Sequence, residues 1–210
     1  MRHAHLIILS AILLMLSGFL TRDGKQGRTE WPLGSSTSLI REITPEVLKE
    51  VKASGIDLME IGWRDLNWHD LTYEERLAYA RRVYALTMEA GIRIWSTHVP
   101  YGEDVDISNP DDNHRTAAIG RVKEFIDLGL EMKVRYVVLH PSERIDESTR
   151  STRILKCRES LRELSAYMKG KNVALAMESL PPDFLGNSSQ ELIRLVEGID
   201  LVGICFDTNH

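Results

Sequence analysis

The chain has 210 residues, of which 43% are hydrophobic, so it is long and apolar enough for one domain with a sizeable core. Its formal net charge of −5 disfavours a general nucleic-acid-binding function, because an acidic domain does not attract polyanions through its overall field. Two cysteines exclude a disulfide framework, and Cys157 and Cys205 are predicted to be separate core thiols.

The first 22 residues differ from the rest of the chain. Residues 6–20 form an uncharged apolar run between a start that carries Arg2 and a polar exit that begins at Thr21. This order is typical of a secretory signal, and the run is short for a membrane span, which needs about 20 residues. We predict a signal peptide or N-terminal membrane anchor over residues 1–22, a linker over 23–30, and export to the periplasm or the extracellular space. Contact with a membrane is expected only through this segment, and its cleavage is left open.

Predicted strands alternate with predicted helices over residues 31–210. The first helix is predicted to follow Thr44, an N-cap residue, and the second to follow Thr72, whose capping box is completed by Glu75. Five helices separate the predicted strands, which are WPLGSST, IDLMEIG, IRIWSTH, RYVVLH, NVALAME and LVGICFD. This alternation predicts a parallel sheet flanked by helices.

Two architectures fit such a sheet: an open doubly wound sheet and a (β/α)8 TIM barrel. The barrel is favoured because no glycine-rich phosphate loop follows a strand, and because a polar residue ends almost every strand. Strand alternation places Ser96, Ile94 and Ala176 in the interior and Trp95 against the helices, and small interior residues suit a barrel. A barrel needs eight strands and six are predicted, so residues 31–210 are expected to form a C-terminally truncated TIM barrel. The alternatives are a partner that completes the barrel and a different fold.

Residues that can bind a metal end four of the predicted strands. They are His98, His140, Glu178 and Asp207, and His210 follows three positions after the last of them. A buried carboxylate is costly unless it is paired or bound to a metal, and no lysine or arginine ends these strands. Carboxylates together with imidazoles predict a divalent cofactor, namely Mn²⁺, Co²⁺, Mg²⁺ or Zn²⁺.

Four motifs at these strand ends resemble those of the xylose isomerase-like TIM barrel superfamily: His98-Val-Pro-Tyr, His140-Pro, Glu178-Ser-Leu-Pro and Phe206-Asp-Thr-Asn-His210. This superfamily contains sugar (phosphate) isomerases and epimerases together with an apurinic endonuclease branch. The resemblance implies that Glu178 and Asp207 bind the metal directly and that His210 lies in the metal or substrate shell. It implies that His98 and His140 line the pocket or bind additional metals. It also implies a further His and Glu from two later strands, which leaves open whether the chain is active without them.

The resemblance implies different chemistry in the two branches. In the isomerase branch, Glu178 moves a proton next to a sugar carbonyl through an enediolate, and one divalent ion holds two substrate oxygens. In the endonuclease branch, three zinc ions hydrolyse a phosphodiester, with His98 and His140 as ligands. The predicted export argues against DNA repair, as does the charge of −7 that remains when Arg2 and Arg22 are set aside. We therefore expect a metal-dependent sugar isomerase or epimerase-like enzyme that acts on an unphosphorylated sugar.

A third alternative is a non-catalytic exported barrel that binds sugar. Four aromatic residues near the strand ends are candidates for stacking on a pyranose ring, although packing is expected for the third: Trp63, Trp68, Trp95 and Tyr101. Glu60, at the end of the second strand, is expected either to bind substrate or to pair with a lysine or arginine at the rim. The expected partner is a small-molecule sugar rather than a nucleic acid. The identity of the sugar, the metal, and the oligomeric state, including a homo-oligomer, are left open.

Overall fold

The computed structural model describes residues 32–40, 42–63 and 68–208. The predicted signal peptide or anchor over residues 1–22, the predicted linker over 23–30, and His210 all lie outside these residues. None of the described helices combines the length and the apolar character that crossing a membrane requires.

Six parallel strands form one sheet in which each strand is hydrogen-bonded to its neighbours in the chain. A doubly wound sheet reverses its strand order at a switch point, whereas this sheet keeps the order of successive units of a barrel. The predicted TIM-barrel class is therefore confirmed for the six units described. The strands are β1 (Gly34–Ser36), β2 (Leu58–Gly62), β3 (Arg93–His98), β4 (Tyr136–Leu139), β5 (Ala174–Glu178) and β6 (Val202–Cys205).

The helices between the strands begin where the sequence supplies capping residues. Oγ1 of Thr44 accepts a hydrogen bond from the backbone amide of Val47 at 3.3 Å, and Oγ1 of Thr72 accepts one from the amide of Glu75 at 3.2 Å. The carboxylate of Glu75 accepts the amide of Thr72 at 2.8 Å, which completes the predicted capping box. In the described residues the α-helices are α1 (Pro45–Ala53), α2 (Tyr73–Glu89), α3 (Asp112–Glu131), α4 (Arg150–Met168) and α5 (Ser189–Val196).

The hydrophobic core lies between the outer face of the sheet and the helices. Ile61 of β2 and Leu175 of β5 are fully buried there, together with Phe125 of α3. Burial of one such side chain contributes about 1.5–3 kcal/mol, which is what holds the strand ends in place. Cys157 has a free thiol in this core, as predicted, whereas the free Cys205 lines the interior of the barrel.

A bulge in β3 changes which of its side chains face the barrel interior. Met59 of β2 pairs with Ile94, but the next residue, Glu60, pairs with Ser96, so Trp95 is the extra residue. One extra residue reverses the alternation of side chains along a strand. Ile94 is consequently buried in the outer core, and Trp95 lines the cavity inside the barrel. The prediction that placed Ile94 inside and Trp95 against the helices is wrong for this reason.

Candidate active site

The carboxyl ends of β3, β4 and β5 bring together His98, His140 and Glu178, here called the His–His–Glu group. Nε2 of His98 lies 2.7 Å from Oε2 of Glu178, and Nε2 of His140 lies 3.1 Å from the same oxygen. One ligand atom from each residue lies within 4.8 Å of the others, a spacing at which the three could hold a metal ion.

The backbone fixes the nitrogen with which His98 faces this group. Nδ1 of His98 lies 2.7 Å from the carbonyl oxygen of Val99, so Nδ1 carries the hydrogen and Nε2 is directed at Glu178. The rings of His98 and His140 meet edge to face, with centroids 5.2 Å apart. Two imidazoles from adjacent strands therefore present Nε2 to one carboxylate.

Burial and hydrogen bonding act in opposite directions on the pKa values in the group. Burial raises the pKa of Glu178, but hydrogen bonds from His140 and His98 outweigh it and hold that pKa well below its usual range. Burial lowers the pKa of His98, but its hydrogen bond to Glu178 and the charge of that carboxylate outweigh it and raise the pKa. The ligand-free group therefore favours a carboxylate paired with an imidazolium.

The donor set fits a divalent metal ion. Two imidazole nitrogens and one carboxylate oxygen, with Glu178 only 6% exposed, are donors that zinc and manganese-class ions accept. The bond from Nδ1 of His98 to the backbone is the outer contact that metal-binding histidines usually make. If these three residues were the protein ligands, coordination positions would remain for substrate or water, as in catalytic rather than structural sites.

Asp207 and His210 were predicted to bind the metal with Glu178. Asp207 follows β6, and its backbone amide donates to Oγ of Ser179 at 3.1 Å, which ties the end of β6 to the end of β5. Asp207 is not part of the His–His–Glu group, and His210 lies outside the described residues. The resemblance left the two histidines as pocket-lining residues or ligands, and both lie where they could hold a metal ion together with Glu178.

A loop after β3 covers one side of the group. Tyr101 stacks on the ring of His140, with the rings within 9° of parallel and their centroids 5.2 Å apart. The loop is anchored by Asp106, whose carboxylate accepts hydrogen bonds from Ser108 and, at 2.7 Å, from Arg153 of α4. Because Arg153 lies on a helix, this buried ion pair helps to determine where Tyr101 meets His140.

Glu60, at the end of β2, lies at the junction of two cavities. The interior cavity, about 640 Å³ in volume, has small wall residues such as Ala176 and Gly203. The second cavity, about 180 Å³ in volume, is here called the mouth pocket, and its walls include Ser36, Ser38, Glu60, Gly62, His98 and Tyr101. The carboxylate of Glu60 accepts the hydroxyl of Ser96 at 2.9 Å, which orients it at this junction. The mouth pocket thus adjoins the His–His–Glu group through His98.

Two of the four aromatic residues that were candidates for stacking on a sugar are buried instead. Trp63 is fully buried, donates its indole N–H to Oγ1 of Thr97 at 2.8 Å, and packs near the ring of Phe125. Trp68 packs edge to face on Phe125, with centroids 5.3 Å apart. Trp63 therefore supports the wall of the mouth pocket, and it has no exposed ring face. Tyr101 is 40% exposed at the mouth.

Hydroxyl groups at the end of β1 are site residues that the sequence analysis did not identify. Oγ1 of Thr37 accepts the amide of Gly62 at 2.9 Å, and Ser36 and Ser38 line the mouth pocket. The sequence does contain the signal, because residues 35–38 are four consecutive serines and threonines directly after the weak first strand. Polar residues at a strand end are the feature that identified the other site residues.

Comparisons with known proteins agree with this fold. A protein of Acholeplasma laidlawii named probable endonuclease 4 is 30% identical over 135 residues, which cover 60% of this chain and 45% of that protein. The crystal structure of a D-tagatose 3-epimerase-like protein matches 86% of this chain and 66% of its own, with a TM-score of 0.69 and 20% identity. That of D-psicose 3-epimerase from Clostridium cellulolyticum H10 with D-tagatose matches 83% of this chain and 63% of its own, with a TM-score of 0.69 and 19% identity.

The chain therefore spans about half to two thirds of the length of these relatives. The two structural likenesses, at their low identities, establish the fold alone. A family model is more specific, because the model described as xylose isomerase-like TIM barrel matches residues 48–210, which is most of the chain. On this match, and on the strand order described above, the chain belongs to the xylose isomerase-like TIM barrel family.

Proposed function

We propose that the protein is a metal-dependent sugar isomerase or epimerase-like enzyme that moves a proton next to a sugar carbonyl. The observation that carries the proposal is the His–His–Glu group, in which one buried carboxylate is shared by two imidazoles at the carboxyl end of the barrel. The adjoining mouth pocket contains hydroxyl and carboxylate groups, which suit a polyhydroxylated ligand. Structural neighbours named for sugar epimerases support the same class of reaction.

A divalent ion held by His98, His140 and Glu178 would supply Lewis-acid stabilisation for negative charge that develops on the carbonyl oxygen. The side chains have roles of their own. Burial strengthens Glu178 as a base toward the proton on carbon, but hydrogen bonds from His140 and His98 act in the opposite direction and lower its pKa, so Glu178 is unprotonated at neutral pH. It would return that proton to the neighbouring carbon after the enediolate stage. Tyr101 and its anchored loop would cover the reacting carbons from water.

The proposed substrate is an unphosphorylated sugar or sugar derivative. The predicted export of the chain supports this choice, because phosphorylated sugars are scarce outside the cytoplasm. D-Tagatose and D-fructose, each named with a crystal structure of a D-psicose 3-epimerase, are the natural first compounds to test.

The test combines elemental analysis of the purified protein with exchange of solvent deuterium into D-tagatose and D-fructose. We expect about one divalent ion per His–His–Glu group, and deuterium at the carbons next to the carbonyl. Glu178→Gln should lose both, whereas Glu50→Gln, at an exposed position of α1, should lose neither. Protein that contains metal but exchanges no deuterium would contradict the isomerase proposal.

A second candidate is a zinc-dependent apurinic endonuclease-like phosphodiesterase. Two observations favour keeping it: His98 and His140 both contact the carboxylate, and the relative named probable endonuclease 4 is 30% identical. The discriminating assay offers the zinc-loaded protein an oligonucleotide that contains one abasic site, in parallel with the two ketoses. Cleavage of the abasic site without sugar exchange would replace the first proposal by the second. Sugar binding without either reaction would indicate a non-catalytic sugar-binding barrel.

A further inference from the structure

We infer that the mouth pocket binds the neutral, hydroxylated tail of the substrate, and that Glu60 discriminates there against a phosphorylated tail. This inference rests on the proposed function, since it assumes that the carbonyl end of a sugar lies at the His–His–Glu group. It implies that the hydroxyl groups at the end of β1 bind the substrate, and that Gly62 is needed to leave space for one of them.

Gly62 allows the hydroxyl group of Ser38 to lie close to the end of β2 at the mouth pocket. A Cβ atom on Gly62 would lie 2.8 Å from Oγ of Ser38, 3.8 Å from Oγ1 of Thr37 and 4.0 Å from Oγ of Ser36. Oγ1 of Thr37 accepts the amide of Gly62, which fixes β1 against β2 at this point. Ser36 and Ser38 then line the pocket with groups that both donate and accept hydrogen bonds. Such groups match the hydroxyls of a polyol.

Glu60 gives the same pocket a charge preference. Its carboxylate lies between the two cavities, oriented by the hydroxyl of Ser96. An ionised carboxylate accepts hydrogen bonds from hydroxyl groups that are stronger than neutral ones. It repels a phosphate group, which carries about −1.5 to −2 charges at neutral pH. A sugar whose tail ends in a hydroxyl is therefore favoured over its phosphate ester.

The mouth pocket is the smaller of the two cavities, about 180 Å³ against about 640 Å³, so it suits the tail of a sugar rather than the whole molecule. Because His98 belongs both to the pocket wall and to the His–His–Glu group, the remaining carbons of a six-carbon ketose would extend toward the metal ligands.

Calorimetric titration of the zinc-loaded protein with D-fructose and with D-fructose 6-phosphate tests this inference. We expect the wild type to bind the neutral sugar about tenfold more tightly, and Glu60→Gln to reduce that ratio to about two. Gly62→Ala should weaken D-fructose binding by about tenfold, because the added Cβ displaces Ser38, while zinc affinity stays within about twofold. The matched controls are Glu50→Gln and Gly120→Ala. Glu50 is exposed on α1, and no atom lies within 4 Å of a Cβ on Gly120.

Ser38→Ala is a second variant of the same pocket. It removes a hydroxyl group and adds no atom, so it tests the pocket without the risk of misfolding that Gly62→Ala carries. Equal binding of the two sugars by the wild type, or D-fructose affinity unchanged in both Gly62→Ala and Ser38→Ala, would overturn the inference. So would the absence of ketose binding. Deuterium exchange separates this result from failure of the proposed function. Glu60-dependent binding without exchange supports the pocket and contradicts the isomerase, whereas exchange that is insensitive to these variants supports the isomerase and contradicts the pocket.

Discussion

Replacing Arg153 by methionine is expected to destabilise the protein by about 3 kcal/mol, because it leaves the carboxylate of Asp106 buried without its partner. NH1 of Arg153 lies 2.7 Å from Oδ2 of Asp106 and 3.0 Å from Oγ of Ser108. The side chains of Asp106 and Arg153 are only 3% and 15% exposed, so water cannot take the place of the guanidinium. Methionine keeps much of the apolar packing of the arginine stem.

The magnitude follows from what remains around Asp106. Loss of one partner from a buried pair costs about 3–5 kcal/mol when the remaining charge has no compensation. The amide and the hydroxyl of Ser108 still donate to Oδ1 of Asp106, at 2.9 Å and 2.6 Å. Each such hydrogen bond to a charged group is worth about 1.5–3 kcal/mol and keeps the charge partly satisfied, which places the expected cost at the low end of the range.

Urea unfolding followed by circular dichroism measures this cost. Arg81→Met is the control, because Arg81 pairs with Glu131 at the exposed surface of α2 and α3, and its loss should give no resolvable change. Adding Asp106→Asn to Arg153→Met should recover part of the stability, because the variant then buries no unpaired charge. The reasoning would be refuted by an Arg153→Met variant as stable as the control, or by a double variant less stable than both single variants.

Two further predictions concern protonation and packing. In the metal-free protein, the His98–Glu178 pair stabilises the fold below the raised pKa of His98, so stability in EDTA should fall as pH rises above 6.5 and through that pKa. Zinc affinity, measured by competition with a chelator, should rise over the same interval, and a His98→Gln variant that keeps the stability slope would contradict the assignment. The Gly129→Ala variant should be less stable than the Gly120→Ala variant by about 1–3 kcal/mol in urea unfolding. A Cβ on Gly129 would lie 3.0 Å from Cγ2 of Val134, whereas a Cβ on Gly120 would have no atom within 4 Å. Equal midpoints would show that α3 can move away from the sheet.

The strand ends were predictable because each combines an apolar run with a polar last residue. His98, His140 and Glu178 were identified from that pattern alone, and parallel pairing was enough to expect them on one face. The capping box at Thr72 was predictable for a similar reason, since its hydrogen bonds join residues three positions apart. Features of this kind are predictable because the residues that form them lie within a few positions of one another in the sequence.

Other features depend on residues that are distant in sequence. The bulge at Trp95 is defined by the register of β3 against β2, which begins 35 residues earlier, and nothing in IRIWSTH distinguishes a regular strand from a bulged one. The ion pair of Asp106 and Arg153 joins residues 47 positions apart. The burial of Trp63 depends on its contacts with α3, so its position next to a strand end gave the wrong expectation about its availability.

The placement of the His–His–Glu group on three adjacent strands has a consequence for ion binding. Its ligands follow or end strands whose outer faces are packed in the core, and the Nδ1 bond of His98 restricts ring rotation without an ion. Without an ion, protonation of His98 balances the charge of Glu178, which stabilises the geometry of the group. Binding of a divalent ion would displace that proton with little movement of the ligands, so the reorganisation cost of filling the site would be low. The adaptable parts are the loops around it, and substrate choice is therefore expected to depend on residues such as Glu60 and Ser38 at the mouth rather than on the ligands.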